Sequence, residues 1–363
     1  MSRNEFRTPA GLRHFRRLLL AWFDAHARDL PWRRTADPYA IWVSEVMLQQ
    51  TRVNAVLDHY ARFMARFPTV QALADADEPE VLAIWSGLGY YRRARMLHKA
   101  AKIVAADLAG KLPDTVEALR KLPGIGEYTS AAIASIAFGK PVAVVDGNVE
   151  RVALRLTGMN LPAKAVHETA QTLLDRVRPG DSNQAVMELG ATLCLPKNPL
   201  CLECPVHQQC RTRGEHPTIP RQKQQSKRIH FAWIERKKRK SSTEILLEQR
   251  PHNAPLMAGM WELPHLETPA EEEDRLLLSL RHSITTINYQ VSILRFAPDK
   301  ELLLPKHRTR KWTKAEELPN MPLTGLTRKT LKRFGLFPEA PPARPSVRRR
   351  SRRPETALSL SDL

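Results

Sequence analysis

The chain has 363 residues, with 57 Lys and Arg against 38 Asp and Glu, for a formal net charge of +19. Hydrophobic residues make up 42% of it, enough to build real cores, which excludes wholesale disorder. No apolar run reaches the ~18 residues of a membrane span, and the charge favours a polyanionic partner, nucleic acid ahead of an acidic membrane surface. The N-terminal stretch MSRNEFRTPAGLRHFRRLLL lacks an apolar segment followed by a cleavage site, so a cytoplasmic location is expected.

Residues 8 to about 190 read as helix after helix. Arg13 to His26 carries Phe15, Leu18, Leu19, Trp22 and Phe23 at helical spacing. Asp37-Pro38 reads as an N-cap followed by proline at the first helical position, leading into YAIWVSEVMLQQ. Amphipathic segments follow at 52–66, 78–85, 91–109, 115–121, 127–138, 147–157, 163–177 and 183–193. Gly87, Gly89, Pro113, Pro123, Gly139 and Pro162 punctuate them. Little in this part alternates with period two, so it reads as all-α. Residues 211–228 are polar and basic, a linker. From 229 to 337 a smaller α+β domain is expected. Its clearest strand alternates Ile287, Tyr289, Val291 and Ile293 with Asn288, Gln290 and Ser292. Shorter strand runs stand at 229–234 and 244–248, and 325–334 reads as a helix. The stretch 338–363 is rich in Pro and Arg and is expected to be disordered.

Three features carry chemistry. The turn Leu122-Pro123-Gly124-Ile125-Gly126 lies between two helical patterns. Its glycines permit left-handed φ and bare backbone N–H groups that can take a phosphate at the start of the next helix. About twenty residues on, an apolar segment ends in Asp146, which opens a helix. Glu45 sits on a helix among apolar neighbours, Trp42, Val46 and Met47. A carboxyl desolvated there has a raised pKa and can stay protonated near neutrality.

The four cysteines stand as Cys194-x6-Cys201-x2-Cys204-x5-Cys210, with none elsewhere. A disulfide framework spreads its cysteines, whereas this cluster is metal-ligand usage and implies a reducing compartment. On spacing alone, zinc and a four-iron four-sulfur cluster suit the four thiols equally.

Together these motifs resemble the helix-hairpin-helix glycosylases of the endonuclease III superfamily, whose cluster loop has a similar cysteine spacing. The resemblance implies one 4Fe-4S cluster held by Cys194, Cys201, Cys204 and Cys210. Lyase members carry a nucleophilic Lys after the hairpin; here Tyr128 stands at that position, which implies a monofunctional enzyme. Trp42-Val43-Ser44-Glu45-Val46-Met47-Leu48-Gln49-Gln50-Thr51 and Gly87-Leu88-Gly89-Tyr90-Tyr91-Arg92-Arg93-Ala94-Arg95 are similar to motifs of the MutY family of adenine DNA glycosylases. The resemblance is strong over roughly 10–210 and fades after 230.

It implies a mainly α, helix-hairpin-helix glycosylase domain over 8–210, the linker at 211–228, a Nudix-like 8-oxoguanine-recognition domain over 229–337 and the basic tail at 338–363. The implied substrate is double-stranded DNA with adenine opposite 8-oxoguanine or guanine, and a monomer is expected. Glu45 would protonate the flipped adenine, Asp146 would stabilise the oxocarbenium-like sugar, Tyr128 would pack in the adenine pocket and Asn148 would position Asp146 or the water. Gln50, Thr51, Leu88 and Tyr90 would contact the DNA around the opposite purine, and Gly124 and Gly126 would grip a phosphate. Arg33 and Glu188 carry over to the same DNA-binding group. Arg92, Arg93 and Arg95 read as phosphate contacts.

Two departures matter. The acidic run Glu271-Glu272-Glu273-Asp274 lacks the Glu-rich metal box of hydrolytic Nudix enzymes, so nucleotide hydrolysis is not expected. Where many members carry His-x-Phe-Ser-His, this chain has His282-Ser283-Ile284-Thr285-Thr286. Thr285 and Thr286 are the candidate lesion contacts there, and weaker discrimination of 8-oxoguanine from guanine is expected. The alternatives are a monofunctional thymine mismatch glycosylase, which Glu45 argues against, and an inactive DNA-binding module, which retention of both Glu45 and Asp146 argues against. Most of the charge excess lies outside the motifs: residues 219–240 hold nine Lys and Arg against one acid, and 340–363 hold six against two.

Overall fold

A computed structural model describes residues 8–215, 225–237, 243–266, 276–284, 287–298 and 308–337. Thr285, Thr286, the acidic run at 271–274, the middle of the linker and the 338–363 tail lie outside these residues.

Eleven α-helices precede the cysteine loop: α1 (Pro9–His26), α2 (Pro38–Leu48), α3 (Val53–Arg66), α4 (Val70–Ala74), α5 (Glu78–Trp85), α6 (Arg92–Asp107), α7 (Val116–Leu119), α8 (Glu127–Ile136), α9 (Gly147–Thr157), α10 (Ala163–Leu173) and α11 (Pro179–Thr192). Local chemistry sets their ends. Asp37 caps α2 by accepting from the Tyr39 and Ala40 amides, and Thr8, Thr69 and Thr115 cap α1, α4 and α7 in the same way. The helices expected at 163–177 and 183–193 are bounded differently. The Asp175 carboxylate accepts from the Val177 and Arg178 amides, forming a turn that ends one helix early and lets Pro179 open the next. The five-residue α4 was not anticipated; it is too short to show a period.

Two apolar cores organise the helical part. One gathers α2 to α8 around Trp42, Phe63, Phe67, Trp85 and Leu97, and the other gathers α1, α9, α10 and α11 around Phe15, Leu19, Val152 and Leu189. Truncating a side chain as buried as Trp42 or Phe15, both fully enclosed, costs about 3–5 kcal/mol. A small cluster of Ala131, Ala132 and Val144, with Tyr128 and Met187 against it, joins the two lobes. No described helix is long and apolar enough to cross a membrane.

Beyond the cysteines the chain forms strands β1 (Gln225–Lys237), β2 (Thr243–Gln249), β3 (Trp261–Glu262), β4 (His265–Leu266), β5 (Leu276–Ile284), β6 (Ile287–Phe296) and β7 (Arg310–Lys314), then helix α12 (Gly325–Arg333). β1 is shared along its length: residues 225–234 run parallel to β6, and Glu235 to Lys237 pair antiparallel with β2. β5 lies antiparallel to β6, while β3 and β7 flank β2. Trp233, Val291, Ile293 and Leu331 fill the core beneath α12.

The sheet region docks on the helical part through residues 86–95. The Ser86 and Tyr91 hydroxyls both donate to the Leu323 carbonyl, at 2.8 and 3.1 Å. Arg328 donates back to the Ser86 carbonyl at 2.8 Å, Arg95 donates to the Ala258 carbonyl, and Met260 is buried in the larger helical core.

Candidate active site

Helix α2 is buried from Tyr39 to Met47, and Glu45 lies within that stretch at 5% exposure. Burial pushes its carboxyl up to about 7. The Tyr128 hydroxyl, donating to Oε2 at 2.7 Å, and the positive charge of Arg33 pull the other way, while negative Asp146 adds to the rise. Tyr128 comes from the first turn of α8, so the hairpin delivers the partner of Glu45. A solvated helix face is thus not where Glu45 sits.

Asp146 enters from the other lobe as the N-cap of α9. One carboxylate oxygen accepts from the Asn148 and Val149 amides at 2.9 and 2.7 Å, and the other accepts from the Asn148 side-chain amide at 2.8 Å. Its N-cap role and its place beside Glu45 coexist. Gly190 allows this: a Cβ there would stand 2.6 Å from the Asn148 Cβ, so only glycine lets α11 approach α9 so closely. Arg151, which the sequence reading missed, ties this corner together. Its guanidinium donates to the Asn148 side chain at 2.8 Å, the Gly190 carbonyl at 2.7 Å and the Cys194 carbonyl at 2.8 Å. An Arg four residues before another on a capped helix was its only signal.

The four cysteines form no disulfide and line one cavity of about 30 Å³ together with Arg155. Arg155 is 2% exposed; it donates to the Cys194 sulfur at 3.3 Å and to the carbonyls of Leu195 and Pro196, while its Nε has no partner. Among the described residues no three His, Cys, Asp or Glu side chains are gathered tightly enough for a single metal ion.

A second, open feature lies beside α2, whose Trp42 and Val46 line it. A cleft of about 990 Å³ separates the helical part from the sheet region, lined by Gln50, Leu88, Tyr90 and Gly124 on one side and by Leu256, His282, Ser283 and Ile284 on the other. Gln50 and Tyr90 are exposed and have left-handed backbones, φ 53° and 48°. Tyr90, 47% exposed, is therefore not a core aromatic. Gly124 requires its φ of +78° and its lack of a side chain, since a Cβ would meet the Met96 Cβ at 2.5 Å. Gly126 opens α8 with no side-chain cap, leaving that helix start uncovered.

Several expected side-chain roles are corrected. Glu188 is 1% exposed and holds Arg28 and Arg33, so it cannot touch DNA; burial would raise its carboxyl, but hydrogen bonds from both arginines carry it down to about 2. Its partner Arg33 is drawn inward with it. Arg93 is not a phosphate contact: its guanidinium donates to the carbonyls of Val46, Met47, Gln49, Leu88 and Gly89 and to the Thr51 hydroxyl. Arg95 is likewise engaged, with Glu78 and Ala258. Leu88 is buried in the cleft wall, and half-buried Thr51 accepts from Arg93 outside the cleft lining, so neither projects into the cleft.

A bilobal helical fold with a glycine hairpin and a capping Asp defines a class, the HhH-GPD superfamily of base excision DNA repair proteins, whose family description matches residues 43–179. Human adenine DNA glycosylase is 40% identical over 335 residues, covering 75% of this chain and 61% of the human protein. The adenine DNA glycosylase of Schizosaccharomyces pombe is 31% identical, covering 72% of this chain and 71% of its own. The chain belongs to the adenine DNA glycosylase family. It spans 61–65% of the length of the three mammalian relatives. A solved thermostable thymine-DNA glycosylase superposes with a TM-score of 0.53 and 32% identity, covering 56% of this chain and 96% of that one. Similarity to the adenine enzymes thus extends past residue 230, further than the motifs alone indicated.

Proposed function

We propose that the chain is a monofunctional glycosylase that hydrolyses the N-glycosidic bond of adenine mispaired with 8-oxoguanine or guanine in double-stranded DNA, as the first step of base excision repair. The carrying observation is Glu45: a buried carboxyl poised near 7, hydrogen-bonded by a tyrosine where a lyase would place its lysine. The target adenine must first leave the stack. Protonated Glu45 then gives its proton to N7, the bond from N9 to the sugar C1′ breaks, and its electron pair leaves with the neutral base. Positive charge develops on the sugar beside Asp146, whose negative charge stabilises it. Glu45, now a carboxylate, accepts a proton from the water that attacks C1′, which restores the acid.

Thymine excision is the second reading, favoured by the superposition on a thymine-DNA glycosylase. Two observations weigh against it: thymine has no N7 to protonate, and the adenine enzymes align over a larger share of this chain. Single-turnover assays on A·8-oxoguanine, A·G and T·G duplexes decide. Release of adenine alone supports the proposal; release of thymine at a comparable rate sinks it.

The cysteine loop fits a 4Fe-4S cluster. Four free thiols surround one cavity, and the guanidinium of Arg155, with an unused Nε, offers positive charge beside thiolates. Cys194, Cys201, Cys204 and Cys210 would hold the cluster, which would supply cross-linking of the loop rather than acid–base chemistry. Iron and sulfide assays at about four each per chain, with a visible absorbance band, support this; stoichiometric zinc overturns it. The domain limits we adopt are 8–210 for catalysis, 211–228 as linker, 229–337 as a Nudix-like region that senses the base opposite adenine, and 338–363 as a basic tail. The partner is duplex DNA bound by a monomer in the cytoplasm. The basic linker and tail would add salt-sensitive attraction that is independent of sequence.

A further inference from the structure

Three non-glycine residues lining the cleft have left-handed backbones. Two are Gln50 and Tyr90; the third is Met257, φ 51°, on the loop joining β2 to β3. Strain of this kind persists where the surroundings enforce it and gathers at functional sites. The loop is firmly held. Arg250 donates to the Leu256 carbonyl at 3.0 Å and to Glu262 at 2.8 Å, the Met260 amide donates to the Met257 carbonyl at 3.2 Å, and Arg95 reaches across from α6 to the Ala258 carbonyl.

Met257 packs against the helical core and serves as the anchor. Its neighbour Leu256 does the opposite: it lines the cleft and is 41% exposed. Leu256 and Tyr90 are the large apolar side chains exposed there; the other exposed ones among the described residues lie outside the cleft. A leucine held in water on a pinned loop adds little to folding, and its place in the same cleft as the exposed Tyr90 and Gln50, on the facing wall, fits contact with the duplex.

We propose that Leu256 is a third probing side chain, an apolar wedge that the sheet region presses against the base step beside the mispair while Gln50 and Tyr90 act from the helical side. The inference rests on the duplex-binding reading above. Wedging requires partial unstacking, which is easiest where a mispair already weakens the stack. Leu256 is thereby a specificity-determining residue for mispaired over matched DNA.

The test uses the full chain, with its metal content measured, and duplexes bearing a non-cleavable adenine analogue opposite 8-oxoguanine or thymine. Leu256→Ala is expected to lower the ratio of mispaired to matched affinity by about tenfold. It is also expected to reduce the brightening of 2-aminopurine placed next to the mispair, with thermal unfolding unchanged. Leu256→Met is expected to retain both properties. A wild-type affinity ratio and wild-type brightening in Leu256→Ala overturn the inference while leaving the glycosylase reading intact. If the wild-type chain itself fails to prefer the mispaired duplex, both fall. If Leu256→Ala unfolds at lower temperature and Leu256→Met does not restore the ratio, Leu256 is a packing residue and the inference is again overturned.

Discussion

The carboxylate pocket and the open cleft solve opposite problems with residues from α2 and the turn that follows it. Glu45 and Gln50 are five positions apart, yet one is enclosed among apolar side chains and the other stands in water on a left-handed backbone. In the pocket, the partners are set before any substrate arrives: Tyr128 on Glu45, Asn148 and two backbone amides on Asp146. In the cleft, Gln50 and Tyr90 are exposed on left-handed backbones. Chemistry needs fixed charge in a dry place, whereas inspection of a duplex needs reach from a rigid base. Arg93 connects the two, since the carbonyls it binds include both the last turn of α2 and the turn before Tyr90.

The pocket is broken most severely at Glu45. Glu45→Gln keeps the volume and can still pair with the Tyr128 hydroxyl but has no proton to give. A loss of about 10³-fold in single-turnover adenine release is expected, with duplex affinity within a few-fold of wild type. Cleavage at the wild-type rate would show that the acid is another group. The same variant tests the cost of burial. A carboxyl raised to about 7 when folded, against 4.5 as its ordinary value, holds its proton in the folded state while the unfolded chain releases it. Stability from this group is therefore present below pH 4.5 and lost as pH rises to about 7. Glu45→Gln should be more stable than wild type at pH 8 by up to about 3 kcal/mol and nearly equal at pH 4, as measured by denaturant unfolding.

The connection between pocket and cleft is broken at Arg93. Arg93→Ala leaves several buried carbonyls without a donor, so a destabilisation of about 3 kcal/mol is expected, together with weaker duplex binding. Arg93→Lys, with three donors and no planar fork, should fall between. If Arg93→Ala unfolds like wild type and only the salt dependence of DNA binding changes, Arg93 contacts phosphate after all.

That residue also marks how far the sequence is readable. The burial of Glu45 was legible because its neighbours on α2 are nearly all apolar, and the hairpin was legible because two glycines interrupt a helical pattern. Both are local signals. Arg92, Arg93 and Arg95 look alike in sequence, and only the packing of α6 against α2 turns one inward. Arg151 and Gly190 were hard to single out for the same reason, since each matters through an element remote along the chain. The pairing of β1 with β6 rather than solely with its neighbour is likewise a long-range choice that strand alternation does not encode.

Within the pocket, Tyr128→Phe gives a finer test. The hydroxyl stabilises the ionised form of Glu45, so its removal leaves burial and Asp146 to raise the carboxyl further. The rate should decline with rising pH through about 7 in wild type, because only the protonated acid works. In Tyr128→Phe that decline should move to higher pH by less than about one unit, with a change in the limiting rate of about tenfold or less. A shift toward lower pH would mean that the hydroxyl does not act on the ionised carboxylate.

The smallest effect belongs to the cleft's far wall. His282, Ser283 and Ile284 line it, and the Ser283 hydroxyl is already turned to the Asn288 side chain. 8-Oxoguanine differs from guanine in an added O8 and a proton on N7, so a protein hydrogen bond to either edge is what distinguishes them. One such bond contributes about 1 kcal/mol, a factor of about five. Relatives with His-x-Phe-Ser-His bring an aromatic ring and a second imidazole where this chain has Ile284 and Thr286, while Thr285 keeps the hydroxyl of the serine it replaces. The ratio of excision rates opposite 8-oxoguanine and guanine should therefore be lower here than in those relatives, and the combined change Ile284→Phe, Thr285→Ser and Thr286→His should raise it about fivefold. Matched single-turnover assays on the two duplexes measure it. An unchanged ratio in the combined variant would place discrimination with Gln50 and Tyr90, on the helical side of the cleft.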